Sequence, residues 1–127
     1  MVNQYTLEII ATAFGKGRMH DFRLLKANYA GMAAHVRCLA DSGYQGLTSL
    51  HANSETPAKK SKHHPLTIEQ KAANRELARQ RIFCEHVIGK LKIFRILSER
   101  YRNRRKRFCL RFNLIAAIYN LELQGKS

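Results

Sequence analysis

The sequence has 127 residues, of which 23 are Lys or Arg and 9 are Asp or Glu, so its net charge at neutral pH is +14. At this length we expect one domain, and a hydrophobic content of 45% excludes wholesale disorder. No apolar run reaches the roughly 20 residues of a membrane-spanning helix, and the first residues lack the pattern of a secretory signal. Three scattered cysteines fit a reducing compartment, so we expect a cytoplasmic protein with no membrane partner.

The start of the chain carries the pattern of a β–α–β unit. Residues 4–14 are rich in β-branched and aromatic side chains and end near two glycines, which predicts a strand. Asp21 is a plausible N-cap of a helix that we expect to run to about Arg37, because apolar residues then recur at helical spacing. The apolar run over 37–40 ends in a glycine turn that begins at Asp41, which predicts a second strand. This order favours an α/β fold.

The second half of the sequence predicts a loop followed by two helices. Residues 48–65 show no clear period and contain both prolines of the chain, so we expect a mobile loop. Thr67 and Gln70 match a capping box, which predicts that a long helix begins there and covers 67–97. The last helix is expected over 108–123, where apolar residues fall on most sides, as in a buried helix.

The positive charge is concentrated in one segment. Residues 59–111 contain 17 Lys and Arg against 4 Asp and Glu, a net charge of +13 of the total +14. Such a field attracts a polyanion, and nucleic acid is the usual one in a cytosol. The alternatives are a basic face that serves solubility, and a non-catalytic nucleic-acid-binding protein that makes no demand on the acidic residues.

Three charged residues share one face of the predicted long helix. At 100° per residue, Arg81, Glu85 and Lys92 fall within about 60° of one another. The neighbouring apolar stripe should face the core and consists of Ala73, Leu77, Cys84, Val87, Ile88, Leu91 and Phe94. Glu85 would then lie at the edge of the packed face, where it can point into a cleft. The alternative is a surface ion pair between Arg81 and Glu85.

Asp41 is the second candidate carboxylate. An acid directly after a strand and before glycines occupies a common place for a catalytic group, although it could also serve only the turn. Together with Glu85 amid strong positive charge, it suggests a hard divalent cation, Mg²⁺ or Mn²⁺. Two such ions can stabilise the attacking and leaving oxygens of a phosphodiester. Arg81 and Lys92 could hold the DNA phosphates.

Several segments resemble bacterial insertion-sequence transposases of the DDE superfamily. Residues 40–46 (ADSGYQG) resemble the second-aspartate motif of that family. Residues 74–92 are similar to its glutamate helix, in which an Arg lies four residues before the catalytic Glu and a Lys seven after it. Arg81, Glu85 and Lys92 match those places, whereas Ala78 stands where some relatives carry a Tyr. The resemblance extends to 14–21, 101–105 and 113–120, and so to nearly the whole chain.

The resemblance implies a partial ribonuclease H-like fold and a role in DNA transposition. Asp41 and Glu85 would be catalytic metal ligands for Mg²⁺ or Mn²⁺, and the DNA partners would be transposon ends and target. The family also needs an earlier aspartate, and we expect Asp21 to be a helix cap instead. The expectation is therefore the C-terminal portion of a transposase, with the first strands and first Asp before Met1 and little activity alone.

Further expectations concern DNA contacts and protein partners. Arg102, Arg104 and Arg105 lie in a basic connector that would contact DNA phosphates or be merely solvated. A third functional hypothesis is a regulatory fragment that binds terminal DNA, or joins a full-length transposase and inhibits it. The upstream transposase half is a further expected partner. The expected location is the bacterial cytoplasm, in association with the nucleoid.

Overall fold

The computed structural model describes residues 1–99 and 107–126, which divide into two compact units. One unit comprises Met1–Phe14 and Ile82–Ser127, and the other comprises Gly15–Arg81. The helices are α1 (Asp21–Asn28), α2 (Ile68–Leu91), α3 (Arg95–Ser98) and α4 (Phe108–Gln124). The strands are β1 (Cys38–Leu39) and β2 (Ser54–Glu55). Among the helices described, none combines the length and apolar character needed to cross a bilayer.

The Gly15–Arg81 unit contains a short parallel sheet. Cys38 pairs with Ser54 and Leu39 with Glu55, and the combination of helices with a parallel strand pair is compatible with the predicted α/β class. The Arg37 guanidinium donates two hydrogen bonds to the Glu55 carboxylate, of 2.6 and 2.9 Å, beside this ladder. Because both side chains are about half-exposed, this pair adds only a small contribution to the stability of the short ladder.

The helix predicted to run from Asp21 to about Arg37 is shorter than expected. It ends at Asn28, whose side-chain amide donates to the Leu24 carbonyl at 2.8 Å. Gly31 then takes a φ of +91°, a left-handed conformation that a right-handed helix cannot contain. The cap is also different, because His20 Nδ1 accepts the hydrogen bond from the Phe22 N–H. Asp21 is thus the first helical residue, not the N-cap.

The segment predicted as a loop over 48–65 contains regular structure. A 3₁₀ turn covers Leu47–Ser49, and β2 follows at Ser54–Glu55. Farther along, the Asn74 side chain on α2 accepts from the Ala58 N–H at 2.8 Å and donates to the Ala58 carbonyl at 2.9 Å. This paired contact attaches the extended segment to the helix.

The predicted capping box begins α2. The Thr67 hydroxyl accepts from the Gln70 N–H at 3.1 Å, and the Gln70 side chain accepts from the Thr67 N–H at 3.0 Å. Both hydrogen bonds satisfy backbone donors that a helix start leaves without intrahelical partners. The helix ends at Leu91, earlier than the expected 97, and α3 follows as a separate turn.

The predicted apolar stripe of α2 is correct in part. Its buried members are Leu77, Val87 and Leu91, and Cys84 is half-buried. Its exposed members are Ala73, Ile88 and Phe94. The first part of α2 belongs to one unit and the remainder to the other, so the helix does not bury one continuous stripe along its length.

The buried core of the unit that holds the chain start joins α2 and α4. It is built on Val87 and Leu91 of α2 with Ile115 and Tyr119 of α4. Val2, Leu7, Ile9 and Phe112 are among the half-buried residues that pack against it. Burial of these side chains is the main favourable contribution to the stability of this unit.

The predicted strand over 4–14 is wrong. Val2 and Ile9 form one antiparallel bridge, and a turn interrupts the segment between them. In that turn the Asn3 side chain accepts from the N–H groups of Tyr5 and Thr6, and Leu7 takes a φ of 62°. Asn favours such local hydrogen bonds over a ladder, which explains why the β-branched composition does not produce a strand here.

Candidate functional site

Asp41 lies two residues after the end of β1, in the Gly15–Arg81 unit, and caps a 3₁₀ turn over Ser42–Tyr44. Its Oδ1 accepts a hydrogen bond of 2.8 Å from the Gly43 N–H. This bond is the turn-capping role that the sequence also allowed. It fixes one carboxylate oxygen, while the side chain as a whole keeps 48% of its surface exposed.

Gly43 leaves the space that the Asp41 carboxylate occupies. A β-carbon built on Gly43 would lie 3.0 Å from Asp41 Oδ1 and 3.9 Å from Asp21 Oδ2. A larger residue at position 43 would therefore push directly against the Asp41 carboxylate. The glycine of the DSGYQG segment thus acts on the position of the candidate ligand, not only on the turn.

Arg81 faces Asp41 within the same unit. Its guanidinium Nη2 lies 3.7 Å from Asp41 Oδ2, and 28% of the Arg81 side chain is exposed. The sequence predicted that Arg81 holds a DNA phosphate or pairs with Glu85, and the structure adds a direct ion pair with Asp41. Because both side chains remain partly in water, the pair contributes little to stability. The pair also places a positive charge beside the second carboxylate oxygen of Asp41.

Tyr44 adds a phenol to this group. Burial raises the pKa of Tyr44, the carboxylates of Asp21 and Asp41 raise it further, and Arg81 opposes them. The phenol is therefore neutral at physiological pH and available as a hydrogen-bond donor. The sequence left open whether Tyr44 packs over the glycine turn or acts near the site, and the structure places it among these charges.

Asp21 is the residue that sequence reasoning missed. It was expected to act as a helix cap, yet His20 takes that role and the Asp21 carboxylate turns toward Gly43 and Tyr44. No sequence signal identified this, because N-cap preferences favour Asp over His.

Of the remaining predicted site residues, two belong to the other unit and three are not described by the structure. Glu85 is exposed on α2, and Lys92 follows the end of that helix, both in the unit of Met1–Phe14 and Ile82–Ser127. Arg102, Arg104 and Arg105 fall outside the described residues. Across residues 1–99 and 107–126, no group of three His, Cys, Asp or Glu side chains is arranged to hold a metal ion. The structure thus brings Asp41 and Arg81 together.

Comparisons with known proteins confirm the family resemblance. A family model described as DDE superfamily endonuclease matches residues 4–120. The chain is 54% identical over all 127 of its residues to the probable transposase for insertion sequence element IS702 of Microchaete diplosiphon, and it spans 46% of that protein's length. No solved structure matches the chain significantly. Since the family model covers nearly all of the sequence, the chain belongs to the DDE superfamily endonucleases and is related to insertion-sequence transposases.

Proposed function

We propose that the chain supplies two metal-binding carboxylates, Asp41 and Glu85, to a DNA transposase that cleaves and joins phosphodiesters. The observation that carries this proposal is the set of contacts made by the Asp41 carboxylate. Its carboxylate follows a strand, is held through Oδ1 by the Gly43 N–H, and is faced through Oδ2 by Arg81. Capping of the turn uses Oδ1 alone, whereas the Arg81 pair involves the other oxygen, Oδ2.

The chemistry of Asp41 fits a divalent cation. Mg²⁺ and Mn²⁺ prefer carboxylate oxygens, and Oδ2 of Asp41 belongs to a side chain that is half-exposed. Glu85 is a second exposed carboxylate, on the helix that resembles the glutamate helix of the family. When bound, such a cation supplies Lewis-acid stabilisation to the oxygens of the phosphodiester.

The side chains of this chain would position the cation and the DNA. Asp41 and Glu85 would donate oxygen ligands, and the Gly43 N–H would keep the Asp41 carboxylate in one orientation. Arg81 would neutralise Asp41 in the absence of DNA and offer its remaining N–H groups to a phosphate. Lys92 and the basic residues at 102, 104 and 105 would hold the flanking phosphates.

We further propose that these units are parts of a ribonuclease H-like domain that needs more chain than is present here. The family resemblance requires a third carboxylate, and the chain spans 46% of the length of its IS702 relative. Asp41 and Glu85 alone cannot complete a set of three. We therefore expect DNA binding by this chain alone and no cleavage.

A chimaeric transposase tests the proposal. This 127-residue chain replaces the matching segment of the IS702 relative, and nicking of DNA that carries the ends of that insertion sequence is measured with Mg²⁺. We expect Asp41→Asn and Glu85→Gln each to lower the cleavage rate about a thousandfold, since loss of a metal ligand removes several kcal/mol of transition-state stabilisation.

Matched controls separate a site effect from a charge effect. Glu76→Gln removes an exposed carboxylate from the same helix as Glu85. It should leave cleavage within about twofold of the unchanged chimaera, because the exposed ion pair of Glu76 with Arg79 contributes little. The relative itself is the positive control. Cleavage that persists in the Asp41 and Glu85 variants, or that falls equally in Glu76→Gln, would contradict the assigned roles.

A non-catalytic nucleic-acid-binding protein is the second candidate, favoured by the net charge of +13 over residues 59–111. Such a protein would bind DNA equally well after both carboxylates are removed. It would also give a chimaera that binds DNA without nicking it, which is the outcome that distinguishes the two functions.

A further inference from the structure

Helix α4 is apolar on two opposite sides. One side packs into the core through Ile115, Ala116 and Tyr119, which are buried, with Phe112 packed against the same cluster. At 100° per residue these four positions span roughly 100° of the helix surface. A single buried stripe of this width is what a surface helix normally needs.

The opposite side of α4 carries four large apolar residues that remain exposed. Leu110, Leu114, Ile118 and Leu121 have exposed fractions of 71%, 60%, 38% and 66%. They fall within about 80° of one another on the helix surface, and no charged residue lies between them. We call these four residues the outer stripe of α4. A helix that is apolar on most sides is normally buried on most sides, and a contiguous exposed apolar patch marks an interaction surface.

Charge argues against a second copy of this chain as the occupant. Each copy has a net charge of +14, so two copies would bring together strongly repelling bodies around a small apolar contact. The relative suggests another occupant, because 54% identity extends over the whole chain while more than half of the relative's length has no counterpart here.

We infer that the outer stripe of α4 is the docking surface for the remainder of a DDE transposase, the part of the relative that this chain does not match. This inference names a partner for the proposed function and rests on it. The partner's chemistry follows from the stripe: it must present an uncharged apolar surface, since a polar surface would be desolvated against four aliphatic side chains without hydrogen bonds.

Binding is tested without DNA and without metal, so that a failure here is separate from a failure of catalysis. The unmatched part of the IS702 relative is produced as a separate polypeptide, and its affinity for this chain is measured by calorimetry. We expect Leu114→Glu to weaken binding at least about tenfold, as for a central apolar contact. Leu114→Met should preserve binding, because it keeps size and apolar character.

Ile68→Glu is the matched control. Ile68 is 84% exposed at the start of α2, in the other unit, so the same charge is introduced at another exposed aliphatic side chain. We expect unchanged affinity. Far-ultraviolet circular dichroism and the urea midpoint should be unchanged for Leu114→Glu, because the substituted side chain is outside the core.

A second measurement does not depend on disrupting the surface. A Leu114→Cys thiol is alkylated in the chain alone, and peptide mass spectrometry follows its protection when the partner polypeptide is added. Strong protection supports the inference. Equal alkylation with and without the partner, a partner that does not bind, or a concentration-dependent dimer of the chain that Leu114→Glu abolishes would each overturn it.

Discussion

At the scale of single residues, two neighbouring residues of α4 differ in whether their side-chain polar groups have hydrogen-bond partners. Asn120 accepts a 2.9 Å hydrogen bond from the Ile9 N–H and donates another of 2.9 Å to the Ile9 carbonyl, so it supplies both bonds that a neighbouring strand would give. Tyr119 is 6% exposed, and its hydroxyl is buried with no hydrogen-bond partner among the described residues. The same burial raises the pKa of Tyr119.

This contrast predicts that two substitutions change the free energy of unfolding to different extents. Asn120→Ala should lower it by about 1–3 kcal/mol, because two half-buried backbone groups of Ile9 lose their partners. Tyr119→Phe should leave it unchanged or slightly higher, since a hydroxyl without a partner is removed. Urea unfolding measures both. Asn113→Ala, which removes one exposed hydrogen bond to Thr12, is the control and should lower it by at most about 1 kcal/mol.

The prediction for this pair fails if Tyr119→Phe is the more destabilising change. In that event the phenol would have a hydrogen-bond partner in the protein in solution.

At the scale of elements, a local capping motif was predicted correctly, whereas two contacts between distant residues were not. The capping box of Thr67 and Gln70 forms as expected, because both its hydrogen bonds lie within four residues. Asn74 and Asn120 each attach an extended segment to a helix by a pair of hydrogen bonds, across 16 and 111 residues of sequence. An Asn inside a helical pattern carries no signal for such a contact.

The same distinction applies to the candidate site. The position of Asp41 after a strand and before a glycine turn depends on neighbouring residues, and the structure places Asp41 there. Its ion pair with Arg81 spans 40 residues and could not be read from helical spacing, which instead offered Glu85 as the partner. Asp21 was assigned to a cap because the pattern of a helix start admits either of two adjacent polar residues, and His20 takes the role.

The short strand pair gives a pH-dependent prediction. The Arg37 hydrogen bonds hold the pKa of Glu55 below its usual value of about 4.3. A carboxyl with a lower pKa in the folded state contributes stability above its unfolded pKa and loses that contribution as pH falls through the folded pKa. Unfolding of the wild-type chain and of Glu55→Gln should therefore differ at pH 7 and converge below about pH 4. The difference at pH 7 should stay under about 1 kcal/mol, because both side chains are about half-exposed.

A nuclear magnetic resonance titration of the Glu55 carboxyl provides the independent check. A pKa at or above about 4.3 would show that the Arg37 pair does not form in solution. Glu69→Gln changes an exposed carboxyl in the first turn of α2 and serves as the control for general acid effects.

At the scale of the whole molecule, positive charge is distributed unevenly along the sequence. Residues 1–58 carry 5 basic and 4 acidic side chains, whereas 59–111 carry 17 and 4. A stripe of exposed cations on α2, formed by Lys71, Arg75 and Arg79, lies within this basic segment at helical spacing of four. If α2 presents a DNA-binding surface, the affinity for DNA should depend on the positions of these cations as well as on their number.

The salt dependence of DNA binding tests this idea in the intact chain. Each phosphate that a cation neutralises contributes a slope of about −0.9 to the logarithm of affinity against the logarithm of salt concentration. Replacing Lys71, Arg75 and Arg79 by Ala should reduce the slope by up to about 2.7, while Ala preserves the helix. Replacing Lys16, Arg18 and Arg23, three exposed cations outside the segment, changes the net charge equally. We expect this second variant to keep nearly the whole slope in fluorescence anisotropy titrations with duplex DNA. Equal losses in the two variants would mean that DNA responds only to the total charge of +14 and that α2 presents no binding surface.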